Sequence, residues 1–414
     1  MSRQIVFLAA CVLLLALLGA TGETISETPS LSPGDVMLPQ DHRIVLHLDC
    51  GDGERTVKAG ELSITCHNGA EYDFPGVAGG LGSVLYDPER VTFQLDGLRP
   101  DRDYVLGFTW WDADASGRVQ SVQFAAGASG PWQTVLPPVR AAAFHGDKPT
   151  SARVLLPLLP PFNQGDPLRV SFVKETGPNA VVNELWLLER EASETVKRVL
   201  IVTGDDYAGH DWRATAPALA LALREVKGLE VSITECPAVY GSPLLRHYDA
   251  TVIHFKNYDD RLPLGPECRE GVRAHVASGK GLVLCHFGCG AFQDWDGFIK
   301  IAGRVYNPDL RPHDPYGAFA VRMTQESHPV TTGMIPFEVT DELYTCLDGD
   351  APVRVLCEAQ SAVDQHAYPM AFVTEATGGR VFHCLLGHDA RVYETSGARA
   401  LYQRGIAWAA GLVE

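Results

Sequence analysis

The sequence predicts an α/β domain built on a doubly wound sheet, preceded by an all-β sandwich. The chain has 414 residues, which exceeds one ordinary domain. The pattern of hydrophobic residues also changes between residues 192 and 197. Short alternating runs separated by turn residues come before this change, and strands alternating with helical stretches come after it. We therefore assign residues 42–192 to the sandwich and residues 197–414 to the α/β domain.

The first 22 residues have the layout of a secretory signal peptide. Arg3 precedes an apolar run over residues 5–18, and small residues lead to a cleavage point after Gly22. The run is too short for a transmembrane helix, and no later segment is long and apolar enough to span a bilayer. A lipoprotein box ending at Cys11 is the alternative, but the apolar run continues past that residue. We expect an exported protein, either periplasmic or extracellular.

The sandwich domain follows a stretch, residues 23–41, whose Ser, Thr, Pro and Gly content is typical of a linker. Alternating runs then predict short strands at residues 43–48, 91–95, 104–111, 119–124, 168–173 and 181–188. The closing pair of runs, at 168–173 and 181–187, resembles the end of galactose-binding-like jelly rolls.

The α/β domain begins with a buried type of strand at 198–203. Further strands are predicted at residues 229–234, 250–255, 281–285, 353–357, 370–374 and 380–386. Helices are predicted at residues 214–227, 267–278 and 397–410. The strand at 281–285 is almost continuously apolar, as expected for a strand covered on both faces of the sheet.

Polar side chains follow four of these strands, at the edge where open parallel sheets bind ligands. The strand ends are followed by His210, Asp211 and Trp212; by Lys256; by His286; and by His388 and Asp389. Three strand ends thus deliver a histidine and the fourth delivers a lysine. The sequence therefore predicts a ligand site at this edge.

Two of these histidines are followed directly by a carboxylate. Asp389 could fix the tautomer of His388 and raise its basicity, or it could cap the following segment. His210 and Asp211 form a similar pair in a longer loop. His286 is the first choice for a catalytic or ligating residue because it lies at the turn after a buried strand; a backbone-bonded histidine is the alternative.

Other residues could complete such a site. His210, His286 and His388 could hold a divalent metal such as zinc, although no His-Glu-x-x-His motif is present. Glu342 could serve as a general acid or base, or it could face water. Three aromatic residues could stack on a sugar ring or belong to the core: Trp212, Trp295 and Tyr344.

The net charge of −17, the motif content and the cysteine spacing argue against nucleic-acid binding, phosphate binding and a disulfide-rich fold. Without a basic patch, such acidity disfavours nucleic-acid and anionic-membrane partners. No phosphate-binding loop is present. Nine cysteines follow Cys11 at irregular spacing, which does not suggest a disulfide framework, although Cys50 and Cys66 could bridge. The sequence predicts no oligomeric state.

The motifs of the second domain, taken in order, resemble those of the ThuA-like (trehalose utilisation) family across residues 197–414. They are His210-Asp211-Trp212, residues 286–292, His328-Pro329, Asp341-Glu342-Leu343-Tyr344 and residues 379–389. The resemblance implies a flavodoxin-like, class I glutamine amidotransferase-like fold and a role in sugar metabolism. Many relatives carry Gly-Gly-x-Phe-x-x-His where this chain has residues 303–308. His313 could take over that histidine's role, or it could be only a loop residue.

Class I glutamine amidotransferases carry a nucleophilic cysteine at the turn where this chain has His286. Cys285 precedes that turn and Cys289 follows it. An amidase-like cysteine enzyme would need Cys289 as a displaced nucleophile, whereas a small buried residue is the simpler interpretation.

Three hypotheses for the function follow. The first is an enzyme that acts on a carbohydrate or a sugar-derived small molecule. It would hydrolyse or rearrange a glycoside or keto-glycoside by acid–base chemistry at His286, His388, Asp389 and Glu342, with or without a metal. Substrate would contact His210, Asp211, Trp212, Lys256 and Tyr344. The second hypothesis is a non-catalytic carbohydrate-binding protein, and the third is the amidase-like enzyme.

Overall fold

A computed structural model describes most of the chain. It covers residues 35–74, 83–112, 114–145, 148–149, 153–165, 167–193, 196–204, 209–257, 264–293 and 295–414. The predicted signal peptide and the first part of the predicted linker lie outside these residues. Among the helices of the described part, none has the length and apolar character that crossing a membrane requires.

The first half of the described chain contains strands and no α-helix. The strands are β1 (Arg43–Asp49), β2 (Thr56–Ala59), β3 (Leu62–Cys66), β4 (Ala70–Asp73), β5 (Ser83–Asp87), β6 (Arg90–Asp96), β7 (Arg102–Thr109), β8 (Trp111–Asp112), β9 (Val119–Ala126), β10 (Gln133–Arg140), β11 (Ala142–His145), β12 (Lys148–Pro149), β13 (Arg153–Pro157), β14 (Leu168–Thr176), β15 (Ala180–Val182) and β16 (Glu184–Glu191). The two main sheets have the orders β1-β16-β7-β13 and β10-β9-β14-β6-β3-β2, and all their pairings are antiparallel.

The two main sheets pack face to face through side chains that alternate along each strand. In β6, Val91, Phe93 and Leu95 are fully buried while the residues between them are partly exposed. Phe172 of the six-stranded sheet meets Phe108 of the four-stranded sheet with ring centroids 4.9 Å apart. The predicted all-β sandwich is therefore confirmed.

The second half of the described chain contains a nine-stranded sheet, a separate two-stranded sheet formed by residues 305–306 and 347–348, and four α-helices. Its strands are β17 (Lys197–Val202), β18 (Leu229–Thr234), β19 (Ala250–Ile253), β20 (Gly281–Cys285), β21 (Val305–Tyr306), β22 (Gly317–Met323), β23 (Phe337–Asp341), β24 (Leu347–Asp348), β25 (Arg354–Gln360), β26 (Ala367–Thr374) and β27 (Val381–Cys384). Its helices are α1 (Trp212–Arg224), α2 (Pro266–Ala277), α3 (Phe298–Ala302) and α4 (Ser396–Ala409).

The sheet has the order β18-β17-β19-β20-β27-β26-β25-β22-β23, and its first five strands are parallel. Both faces are covered, because alternate residues of β17 belong to different apolar clusters. Val199 and Ile201 pack with α1 and α4, whereas Leu200 and Val202 share a cluster with α2 and the sandwich. The predicted doubly wound α/β domain is confirmed, but the sequence interpretation did not predict the antiparallel pairings that extend the sheet through β26, β25, β22 and β23.

Ion pairs that are largely buried join the two halves. Arg153 of β13 donates from Nη2 to Oε1 of Glu235 at 2.5 Å, and Arg190 of β16 contacts Glu230 of β18 at 2.7 Å. Part of the predicted linker also packs against the α/β half, since Met37 and Leu38 are buried there.

The nine cysteines after Cys11 are all buried free thiols, so the suggested bridge between Cys50 and Cys66 is not formed. Plain core packing accounts for most of them, because they lie among apolar side chains of the two main clusters.

His383 makes the fold sensitive to acid. Its ring is fully buried and stacks on Phe372 with centroids 4.3 Å apart. Burial, aided by nearby Arg304, lowers the pKa of His383 to about 3, whereas an unfolded chain has a histidine pKa of about 6.5. Between these values the unfolded state binds a proton that the folded state does not, so stability falls as the pH drops below about 6.5.

Replacing His383 with phenylalanine is therefore expected to remove part of this acid sensitivity. We expect H383F to lose about 2 kcal/mol less unfolding free energy than the wild type between pH 7.5 and pH 5. Urea denaturation at the two pH values measures the difference. Equal losses in the two proteins would show that His383 does not resist protonation in the folded state.

Candidate active site at the carboxyl edge of the sheet

Five strand ends meet at one edge of the nine-stranded sheet. The parallel strands β17, β19, β20 and β27 end there. Four successive antiparallel pairings separate β27 from β23, so β23 runs in the same direction as β27 and ends at the same edge. Glu342, the residue after β23, can therefore meet the loops that follow the parallel strands.

His286 occupies the sharp turn after β20. Its backbone φ of +46° lies in the left-handed region, which is strained for a residue with a side chain and is typical of functional turns. Nδ1 donates to the carbonyl oxygen of Leu385 at 2.6 Å, which fixes the tautomer because a carbonyl can only accept. Nε2 makes no hydrogen bond, and it lies 3.5 Å from Oε2 of Glu342.

Glu342 lies among three imidazoles. Its Oε2 is 3.2 Å from Nδ1 of His388 as well as 3.5 Å from His286, and its Oε1 is 3.5 Å from Nε2 of His313. Burial alone would raise the pKa of Glu342, but His286 and His388 outweigh burial and lower it. The carboxylate in turn raises the pKa of His388, despite partial burial of that ring. Opposite charges on Glu342 and His388 therefore stabilise each other.

His210 closes the cluster from the side of β17. Its ring stacks on Phe287 with centroids 4.7 Å apart, and its centroid lies 4.9 Å from that of His286 and 5.0 Å from that of His388. Nε2 is 3.4 Å from the hydroxyl of Tyr344. Burial, and then the neighbouring His286, lower the pKa of His210 to about 2, so this imidazole is neutral at physiological pH.

Asp341 holds the loops of the site together. Its fully buried carboxylate accepts backbone hydrogen bonds from Glu342 at 2.8 Å, Gly387 at 2.7 Å and His388 at 3.1 Å. Desolvation raises the pKa of Asp341 despite these bonds. The same side chain therefore fixes the backbone on both sides of the contact between Glu342 and His388.

The cluster opens into a cavity of about 310 Å³. The cavity is lined by Gly209, His210, Lys256, Phe287, Cys289, Tyr306, Pro312, His313, Glu342, Tyr344 and His388. Lys256 reaches over the ring of Tyr306, with Nζ 4.0 Å from its centroid, and burial lowers the pKa of this lysine. His313 and Tyr344 form one wall, since their backbones make an antiparallel bridge. The cavity thus combines aromatic rings with groups that bind or transfer protons.

The structure brings together six of the predicted site residues and places the other three, Asp211, Trp212 and Asp389, outside the cavity lining. His210, Lys256, Glu342, Tyr344 and His388 line the cavity, with His286 buried directly behind Glu342 and Tyr344.

Asp389 faces away from the cluster. Its carboxylate accepts from the Tyr316 hydroxyl at 2.7 Å, contacts Arg391 at 2.5 Å and caps the short helix that follows. The bond to Arg391 lowers the pKa of Asp389 to about 2. The sequence suggested Asp389 as the carboxylate partner of His388, but the carboxylate beside that ring is Glu342.

Asp211 and two of the three predicted aromatic residues, Trp212 and Trp295, also lie outside the cavity lining. Asp211 caps α1 by accepting from the backbone of Arg213 at 3.1 Å. Trp212 is buried in the first turn of α1, and Trp295 packs against the apolar core. Trp212 and Trp295 thus have the core positions that the sequence left open as their alternative, whereas the capping role of Asp211 was not predicted.

Neither cysteine near the turn has the environment of a nucleophile. Cys285 is buried between the hydroxyls of Tyr393 and Tyr402, at 3.3 and 3.1 Å, and burial raises its pKa to about 11. Burial also raises the pKa of Cys289 well above its ordinary value. A reactive thiolate requires the opposite shift, so the site does not favour the amidase-like hypothesis.

Sequence reasoning missed Asp341 and Tyr306. The sequence marks Asp341 only as part of the Asp-Glu-Leu-Tyr run, whereas its bond to the backbone of Gly387 comes from a loop 46 residues away. Tyr306 lies within residues 303–308, where the sequence departs from the pattern of its relatives. That departure was a usable signal, because the segment does form part of the cavity wall.

Gly387 permits the close approach of β27 to the turn at His286. Its φ is +140°, and an added Cβ would lie 2.9 Å from the Tyr393 hydroxyl and 3.1 Å from Cβ of His286. We expect G387A to lower the unfolding free energy by about 1–3 kcal/mol through backbone strain and crowding. Chemical denaturation of the purified variant measures this loss.

Gly378 provides the matched control for this substitution. It also has a positive φ, +99°, but an added Cβ would meet nothing closer than 3.7 Å. G378A should therefore be less destabilised than G387A. Equal losses would mean that crowding around His286 plays no part.

The fold and the site define a doubly wound α/β protein in which a histidine, His286, occupies the sharp turn after the fourth parallel strand and meets side chains from the neighbouring strand ends. The chain belongs to the ThuA family, whose model, described as trehalose utilisation, matches residues 198–409. The family predicted from the ordered motifs is thereby confirmed.

Solved structures similar to this chain are remote. A protein described as ThuA-like from Parabacteroides merdae is 20% identical, with 52% of this chain and 90% of that chain covered and a TM-score of 0.44. A ThuA-like protein from Bacteroides uniformis is 16% identical, with coverages of 53% and 94% and a TM-score of 0.41. A glutamine amidotransferase from Thermotoga maritima is 12% identical, with coverages of 53% and 99% and a TM-score of 0.33. Comparison with curated proteins gives no match.

Proposed function

We propose that this chain is an exported enzyme that transfers protons to and from a sugar-derived small molecule in the cavity at the sheet edge. The observation that carries the proposal is the contact of one carboxylate, Glu342, with imidazoles from separate loops, at 3.2 Å for His388 and 3.5 Å for His286. A carboxylate and an imidazole in contact can accept a proton at one position and deliver it at another.

The family and the cavity support a sugar as the substrate. The family model is described as trehalose utilisation. The cavity, about 310 Å³, is at the lower end of the size range of ligand pockets. Tyr306 and Tyr344 supply ring faces, and Lys256 and His313 supply polar groups. This combination suits a molecule about the size of one sugar unit.

The carboxylate content of the cavity favours a keto-glycoside over an ordinary glycoside. Glycosidases of the common kind use two carboxyl groups on opposite sides of the bond they cleave. Among the described residues that line the cavity, Glu342 is the one carboxylate. A carbonyl next to the reacting carbon makes its proton more acidic, so one base and one acid are enough for elimination or rearrangement.

The test is turnover by the purified protein of a panel of glycosides, including trehalose, and of the corresponding 3-keto-glycosides. We expect product from a keto-glycoside with the wild type and none with H286A. Isothermal titration with the same panel measures binding, so that a lack of turnover can be told apart from a lack of binding. Tight binding without turnover, unchanged in H286A, would support the non-catalytic carbohydrate-binding alternative.

A further inference from the structure

Three histidines and one glutamate direct potential metal-binding atoms toward a common point. One atom each of His210, His286, Glu342 and His388 can be chosen so that all four lie within 4.8 Å of one another. Three of the residues are buried and the side chain of His388 is 25% exposed. The four residues come from four different segments of the chain, so the fold, and no local motif, creates this convergence.

Two of the imidazole nitrogens lack hydrogen bonds although they are buried. Nε2 of His286 belongs to a completely buried side chain and makes none, and neither does Nδ1 of His388. Buried polar atoms in folded proteins nearly always have a partner, so unsatisfied ones indicate a missing ligand or ion. Both nitrogens face Oε2 of Glu342.

The spacing of these atoms fits a small divalent ion. Zinc binds imidazole nitrogen and carboxylate oxygen at about 2.0–2.2 Å, and tetrahedral ligands at that radius are separated by about 3.3–3.6 Å. Oε2 of Glu342 lies 3.5 Å from Nε2 of His286 and 3.2 Å from Nδ1 of His388. Small side-chain movements would bring the remaining donor, His210, to the same distance.

The surroundings of the four donors resemble those of protein metal sites. The hydrogen bond from Nδ1 of His286 to the carbonyl of Leu385 fixes the tautomer that leaves Nε2 free to bind an ion. Asp341 holds the backbones of Glu342 and His388. The cavity lies on the open side of the cluster, which leaves room for a further ligand on the ion.

We propose that His210, His286, His388 and Glu342 form a binding site for a divalent metal ion, with zinc as the best-fitting ion. The inference deepens the proposed function and rests on it only for the role of the ion. At this position a bound zinc ion would polarise a substrate carbonyl facing the cavity. Binding of the ion itself does not depend on turnover.

Metal binding can be measured without any substrate. The wild-type protein is stripped with a chelator, titrated with zinc by calorimetry and analysed for bound metal after desalting. We expect one zinc ion per chain in the wild type and binding at least about 100-fold weaker in H286A, since loss of even an outer partner costs 10–100-fold. Substitution with cobalt should give visible absorption bands in the wild type that H286A lacks.

Two further variants keep the outcome clear. H388A removes a partly exposed ligand and should also lose the zinc site. Loss of zinc in this variant as well would show that the loss in H286A does not come from a folding defect of that variant. H366A removes an exposed imidazole that belongs neither to the donor set nor to the cavity lining, and it should retain the zinc site. The proposal is overturned if the wild type binds no stoichiometric zinc, or if H286A and H388A bind it as tightly as the wild type. Turnover by the metal-free protein would support the proposed function but contradict a role for the metal ion in it.

Discussion

Replacing Glu342 with glutamine is expected to reduce kcat/KM for the keto-glycoside substrate at least about 1,000-fold. The amide keeps the size of the side chain but carries no charge, so it can neither accept a proton nor stabilise a protonated His388. Oε2 of Glu342 contacts both His286 and His388, and the loss therefore affects the whole cluster. Steady-state kinetics on the substrate identified in the panel measures the effect, and circular dichroism checks the fold.

Glu338 is the matched control for this variant. It lies on the same strand, β23, with its side chain exposed to solvent and outside the cavity lining. E338Q should have the kcat/KM of the wild type. If E342Q retained activity within about tenfold of the wild type, Glu342 would not be the group that moves the proton.

Replacing Asp341 with asparagine is expected to damage both stability and turnover, although Asp341 lines no part of the cavity. Its two oxygens accept three backbone N–H groups, and an amide can present an oxygen on only one side. At least one buried donor then loses its partner, which should cost about 2–3 kcal/mol of unfolding free energy. Displacement of the loops should lower kcat about 100-fold, since an error near 1 Å in position has effects of that size.

Asp112 in the sandwich separates these two effects. It is also buried, and it accepts backbone bonds from Ser116, Gly117 and Arg118. D112N should lose at least as much stability as D341N, because it also weakens an ion pair with Arg118. Turnover by D112N, assayed well below its melting temperature, should equal that of the wild type. A parallel loss of kcat in both variants would mean that Asp341 acts through general stability alone.

The sequence predicts the parallel strands and the residues at their ends because both follow local rules. Continuous apolar runs mark strands covered on two faces, and the edge where they end is set by the parallel arrangement. His210, Lys256, His286 and His388 could therefore be assigned to one edge before any coordinates were known. The all-β sandwich follows in the same way from its alternating pattern.

The partners of these residues could not be predicted in this way, because the side chains of adjacent residues point in different directions. Asp389 follows His388 in the chain, but its carboxylate turns to Arg391 and Tyr316. The carboxylate that does meet His388 comes from the end of β23. That strand is in an antiparallel ribbon with β22 whose exposed residues gave a weak strand signal. Contacts made across four strands of a sheet have no signature in local sequence.

The most direct test of the central claim is a crystal structure of the inactive E342Q variant soaked with the keto-glycoside that the wild type turns over. We predict density for the sugar in the cavity, between Tyr306 and Tyr344, with a polar atom within hydrogen-bond distance of His388. Sugar bound only on the sandwich, with the cavity at the sheet edge filled by water alone, would contradict the claim that this cluster acts on the substrate.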